Sequence, residues 1–151
     1  MHSLRQRLNV RDESGFTLIE LLVVLIIIGV LLAIAIPSYL GFQKSAQQTA
    51  AASDVRSAIP DAENYYANNN QSYSGMTGAL LQASDPGLQL STAGSPGIVS
   101  VTPSTDGTQF CISAVDAGNY ADMAGPGGVM DLKRTTDKCA GYTTGVSSQG
   151  W

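Results

Sequence analysis

Residues 15–44 read G-F-T-L-I-E-L-L-V-V-L-I-I-I-G-V-L-L-A-I-A-I-P-S-Y-L-G-F-Q-K, and the fold of the chain turns on this stretch. Between Glu20 and Lys44 lie 23 residues without a formal charge, and Leu21 to Ile36 is apolar throughout. A helix in a soluble core rarely needs such a run, whereas a helix crossing hydrocarbon does. Phe16 to Leu40 is 25 residues. At 1.5 Å per residue that is about 37 Å of helix, against a hydrocarbon layer of about 30 Å.

Downstream of this stretch, residues 44–70 are polar but helix-friendly, rich in Ala and Gln, and close on Asn68-Asn69-Asn70. No turn cluster separates Phe16 from about Ala67, so one helix of about 52 residues, about 78 Å long, is expected. In its second half Ala52, Val55, Ile59, Ala62 and Tyr66 form one apolar stripe, with Gln47, Gln48, Asp54, Asp61 and Glu63 off it. Pro37 removes the hydrogen bond to the Ala33 carbonyl and should kink or loosen the helix, as should Pro60. Gly29 marks the other end of a segment of poorer helix propensity. From Gln71 onward, Gly, Ser, Thr and Pro punctuate short β-type runs, with strands expected over 98–102, 109–115 and 128–133. The fold class is therefore α+β: a long N-terminal helix, half membrane-type and half amphipathic, whose second half packs on a small antiparallel sheet.

Composition narrows the function. The chain has 151 residues, 13% charged, and a net charge of −4. Its first fifteen residues carry Arg5, Arg7 and Arg11 against Asp12 and Glu13, which leaves −5 on the 136 that follow. Broad nucleic-acid binding needs clustered positive charge, and only Lys133, Arg134 and Lys138 offer any beyond residue 100. That trio could meet phosphates locally; the plainer reading is a solvated loop. The sole histidine is His2, so a chain cut after Gly15 would have no Ser-His-Asp triad, Cys-His pair or histidine metal site. Gly125-Pro126-Gly127-Gly128 is a turn without the G-K-[ST] ending of a phosphate loop, and Asp131 and Asp137 are too few and too far apart for a calcium loop. No enzyme, cofactor or metal is expected. Cys111 and Cys139 read as one disulfide formed outside the cytoplasm, with two buried thiols as the alternative. Tyr39 and Phe42, three residues apart just past Pro37, read as packing aromatics.

The apolar stretch admits three readings: a cleaved secretory signal, a permanent anchor, or a segment embedded first and extracted later. Ala33-Ile34-Ala35 supplies an A-x-A cut site, but the apolar character continues past it and the leading region is too long and too acidic. An anchor leaves Glu20 unexplained, because a carboxylate inside an apolar run is costly and marks function by default. If the chain were cut after Gly15, Phe16 would gain a free ammonium four residues before Glu20, on the same helix face. Between neighbouring helices in a bundle, that pair of charges would fix the axial register.

Basic leader, Gly15, then Phe16-Thr17-Leu18-Ile19-Glu20 and an aliphatic run to Pro37: this order resembles a type IV prepilin closely over residues 1–70 and in outline beyond. The leader is longer and less basic than the short leaders of the commonest class, while the phenylalanine after the cut fits that class. The resemblance implies a cleaved leader 1–15, a transmembrane and assembly helix 16–43, and a globular domain 44–151, in which the helix half 44–70 precedes the sheet and a disulfide-bounded loop over 71–151. It implies that a prepilin peptidase cuts between Gly15 and Phe16 and methylates the Phe16 amine. Glu20 would then serve extraction and packing, and Gly29–Pro37 would loosen in the filament. The Cys111–Cys139 bridge would bound an exposed loop. The partners implied are copies of the chain itself, the membrane and the assembly machinery. The chain would wait in the inner membrane, then form a surface filament for adhesion, twitching motility or DNA uptake. The alternatives are a pseudopilin of a type II secretion system and a membrane-anchored extracytoplasmic binding domain.

Overall fold

The computed structural model describes residues 15–92 and 95–142; the expected leader before Gly15 lies outside the described residues. Helix α1, Leu18–Asn68, runs 51 residues. It stops where Asn70 and Gln71 both take left-handed φ angles (53° and 57°), which turn the chain away from the helix axis. The expected loosening at Pro37 and Pro60 is not observed, because the helix is continuous at both. A proline removes one backbone bond. Around Pro37 the strong helix formers Leu31, Leu32, Ala33 and Leu40 flank that gap, and around Pro60 the buried Ala58 and Ala62 hold both sides.

The chain divides after Tyr39 into two compact units. In the first, every described residue is exposed, from Phe16 (83%) through Ile26 (58%) to Tyr39 (67%). It contains the apolar run that makes α1 the one helix, among the described residues, long and apolar enough to cross a membrane.

The second unit has its own core. Ala51, Ala52, Val55, Ala58 and Ala62 of α1 pack with Tyr73, Met76, Leu81, Phe110, Ile112 and Ala114. The buried stripe is thus centred on Ala51, Val55, Ala58 and Ala62. Ile59 and Tyr66, expected within the stripe, are only half-buried, whereas the expected Ala52, Val55 and Ala62 are buried. Small side chains win that line because they let the helix axis approach the sheet, and the bulkier Ile59 and Tyr66 flank it.

Four antiparallel strands form a meander in the order β1-β2-β3-β4: β1 Gly97–Pro103, β2 Phe110–Asp116, β3 Asn119–Gly125 and β4 Met130–Arg134. Three answer to the expected runs, with β4 starting two residues late. Strand β3 was not expected, since Asn, Ala, Asp and Gly are poor strand formers. It forms because Ala117 and Gly118, both at positive φ (46° and 79°), close a two-residue hairpin that lays all seven residues of β3 against β2. A short helix, α2 (Gly78–Ser84), was likewise unforeseen; the Thr77 side chain caps it by accepting from the Leu80 amide.

One sheet face, with Phe110, Ile112, Ala114 and Ala121, meets α1. The other carries Cys111, Ser113 and Asp122 and is covered by a short 3-10 turn, Cys139–Gly141, and Tyr142.

Candidate assembly site

Glu20 lies in the first turn of α1, just after the residues where the cut is expected. Thr17 precedes the helix and engages it reciprocally. The Thr17 amide donates to Glu20 Oε2 at 2.8 Å, its hydroxyl donates to the same oxygen at 2.7 Å, and the Glu20 amide approaches Thr17 Oγ1 at 3.3 Å. This is a capping box, T-x-x-E, which satisfies helix N–H groups that have no partner of their own. The sequence reading paired Glu20 only with the Phe16 amine and missed Thr17, although the spacing was legible in Thr17-Leu18-Ile19-Glu20. The Glu20 carboxylate is therefore already hydrogen-bonded within its own chain.

Phe16 is largely exposed beside this box. Gly29 sits inside the helix, and a Cβ there would meet nothing within 4 Å, so the bare backbone at this turn is free for close approach from outside the subunit. Pro37 lies in continuous helix, and Tyr39 and Phe42 are exposed at 67% and 74%. Of the sequence-derived site residues, Glu20 meets Thr17, which was not among them, within one turn. The structure places Gly29 and Pro37 farther along the same helix, with no contact between them and Glu20 implied.

The other site lies in the second unit. Cys111 and Cys139 are bonded, with Cα atoms 5.3 Å apart, and both are fully buried against Tyr142 and Ala124. The span between them holds nearly all of β2 together with β3 and β4, so the bridge ties down most of the sheet and not merely a loop. Asp137 fixes the end of that span by accepting from the Cys139 amide (2.8 Å), the Ala140 amide (3.2 Å) and Ser100 Oγ (3.0 Å). Tyr142 Oη donates to Gln109 Oε1 at 3.0 Å, and burial raises its pKa. Lys133 and Arg134 fall in β4, but their side chains lie outside the description; Lys138 is exposed.

Aromatic packing joins the helix to the sheet. Tyr66, Tyr73 and Phe110 pack in sequence as tilted rings with centroids 4.6 and 4.7 Å apart. Burial and the hydrogen bond to Glu63 push the Tyr73 hydroxyl up to about 12.

Residues 10–36 match the family model of the prokaryotic N-terminal methylation motif. The chain is 35% identical over 129 residues to the type IV wide pilus major component PilA4 of Thermus thermophilus, covering 85% of this chain and 86% of that one. It is 33% identical over 130 residues to a fimbrial protein of Pseudomonas aeruginosa, covering 84% and 82%. Likeness to the type II secretion system core protein G of Aeromonas hydrophila is 38% over 63 residues, 42% of this chain and 43% of that one. No solved structure matches the chain.

Proposed function

This chain belongs to the type IV pilin family, and we propose that it is made as a membrane-held prepilin, cut between Gly15 and Phe16, and built into a pilus as the repeating structural subunit. The observation that carries this reading is an apolar half-helix with every residue exposed, opening on a capped carboxylate directly after Gly15-Phe16. In the membrane, Phe16 to Leu40 is solvated by lipid. Assembly would transfer that surface into a bundle of identical helices. Lipid and bundle are equally apolar, so the drive must come from close packing and polar pairing.

Glu20 supplies the polar term. Cleavage creates an ammonium at Phe16, and its methylation leaves the charge in place. A neighbour's ammonium would add the attraction of a full opposite charge, which the neutral Thr17 donors lack, so the carboxylate would gain that partner as the subunit docks. A wrong stagger would strand one of the charges in an apolar bundle. Gly29, with open space over its backbone, would admit a neighbouring helix closely. The globular unit, stapled by Cys111–Cys139, would form the outer layer at the cell surface. A secretion-system pseudopilin is the second reading; it rests on alignments of about half the chain or less, whereas the Thermus pilus component and the Pseudomonas fimbrial protein align over more than four fifths.

The test is the intact mass and N-terminal sequence of protein sheared from the cell surface. A methylated Phe16 start is the expected result, with Glu20→Ala leaving processed subunit in the membrane and the sheared fraction empty. A start at Ile36, or a sheared fraction indifferent to Glu20→Ala, would overturn it.

A further inference from the structure

A row of polar residues crosses the sheet on the face away from α1. Strand register opposes Ser100 to Ser113, Ser113 to Asp122 and Asp122 to Asp131, so each strand contributes one residue to a single transverse line. Asp137 reaches this line from the covering segment, held there by Ser100 Oγ and the amides of Cys139 and Ala140.

The middle of the row is sealed from solvent and unsatisfied. Ser113 is 0% exposed and Asp122 2%, yet Ser113 Oγ and both Asp122 carboxylate oxygens have no hydrogen-bond partner. The Ser113 hydroxyl and the Lys138 amide face the carboxylate and favour its ionised form, but neither closes a hydrogen bond. A lone carboxylate at this depth strongly disfavours its charge. A second one makes matters worse: an Asp137 oxygen lies within 4.8 Å of an Asp122 oxygen.

That separation is about twice the 2.3–2.6 Å of a calcium–oxygen bond, so one ion between the two carboxylates would touch both. The Cys139 sulfur shares the same small volume but is committed to the disulfide, which leaves only oxygen donors. Hard divalent cations prefer such a set, and soft ones do not. We propose that Asp122 and Asp137, with the Ser113 hydroxyl as a third donor, bind one hard divalent cation of the calcium class. Backbone carbonyls would complete the shell. The ion would pin the covering segment to the sheet beside the disulfide, using a carboxylate from each. With two carboxylates, the affinity belongs in the range of weak extracellular calcium modules, about 0.1–1 mM.

The experiment is calcium titration of the full-length protein in detergent by calorimetry, together with its unfolding temperature in calcium and in chelator. One site per chain and a higher unfolding temperature in calcium are expected, with affinity weakened at least about tenfold in Asp122→Asn and in Asp137→Asn. Asp122→Asn removes a buried charge without changing side-chain volume, so the variant should fold. The proposal fails if Asp122→Asn binds calcium as the parent does. It fails equally if calcium leaves the parent's unfolding temperature unchanged while pH alone shifts it, because a proton would then be what neutralises the pair.

Discussion

Ile26 and Ile112 are the same residue in opposite circumstances. Ile112 is fully buried between α1 and the sheet, whereas Ile26, in the apolar half of α1, is 58% exposed with no tertiary contact partner in the hydrophobic core. The unit from Leu40 onward builds a buried apolar core, although Leu40, Phe42 and Val129 stay exposed; the unit ending at Tyr39 leaves every described residue uncovered. A soluble monomer does not expose a contiguous apolar patch of that size without a partner. One half of the molecule has its complement inside the chain, and the other half has its complement in lipid and in further copies. Stability and assembly are therefore written in different residues.

The sharpest way to break this contrast is to truncate both isoleucines. Ile112→Ala should cost the globular unit about 2–5 kcal/mol, since it removes buried methylenes and leaves a cavity. Ile26→Ala should leave thermal unfolding of that unit unchanged within about 0.5 kcal/mol while lowering the yield of sheared filament. Thermal unfolding of the detergent-solubilised chain, set beside filament yield, reads both. If Ile26→Ala lowered the unfolding temperature as Ile112→Ala does, the two halves would share one cooperative fold and the contrast would collapse.

The disulfide sharpens the same contrast. Cys111 and Cys139 are 28 residues apart. By the loop-entropy estimate, closing such a span stabilises by roughly 3–4 kcal/mol. A Cys111→Ser, Cys139→Ser double variant should lose about that much in the globular unit, seen as a lower midpoint in denaturant. Membrane insertion of the processed chain should not change. An unaltered midpoint would mean that the packing of Tyr142 and Ala124 holds the covering segment without the covalent bond.

The two halves also differ in how well they can be read. Residues 15–44 announce themselves because apolarity and charge are properties of single residues, and the unbroken run to Lys44 needs no distant partner for its interpretation. The same holds for the α+β class, the long helix and three of the four strands. The globular half depends on pairing. Asn119–Gly125 becomes a strand only because a two-residue turn folds it onto β2, and nothing in N-Y-A-D-M-A-G shows that by itself. The buried stripe was misplaced for a similar reason: Ile59 is more hydrophobic than Ala58, but the space against the sheet suits the smaller side chain. The cap at Thr17 is legible in the T-x-x-E spacing of Thr17-Leu18-Ile19-Glu20, although the charge of Glu20 draws the eye to an ammonium partner. The meeting of Asp122 with Asp137 was beyond reach, since it requires the strand register and the bridge together.

The smallest expected effect concerns charge on the globular side. Asp54 of α1 is half-buried, and its pKa is raised by burial first and by the Asp116 carboxylate second. The native state thus holds this proton more tightly than the unfolded chain does, and stability is greater where the proton is bound. Its contribution is full below the ordinary aspartate value near 4 and is lost as pH rises through the higher native value. Asp61 is raised in the same direction by burial and by Asp85, so the two sites act together. Asp54→Asn removes the repulsion, and at neutral pH it should stabilise the globular unit by no more than about 1 kcal/mol, because solvent still screens a pair that is only half-buried. The measurement is unfolding midpoint against pH for parent and variant. The curves should converge toward pH 4 and separate above it, with the variant higher. A variant that is less stable at neutral pH would show that Asp54 makes a favourable contact outweighing its repulsion from Asp116. The stretch from Leu21 to Phe42, which has no carboxylate, should contribute nothing to that slope.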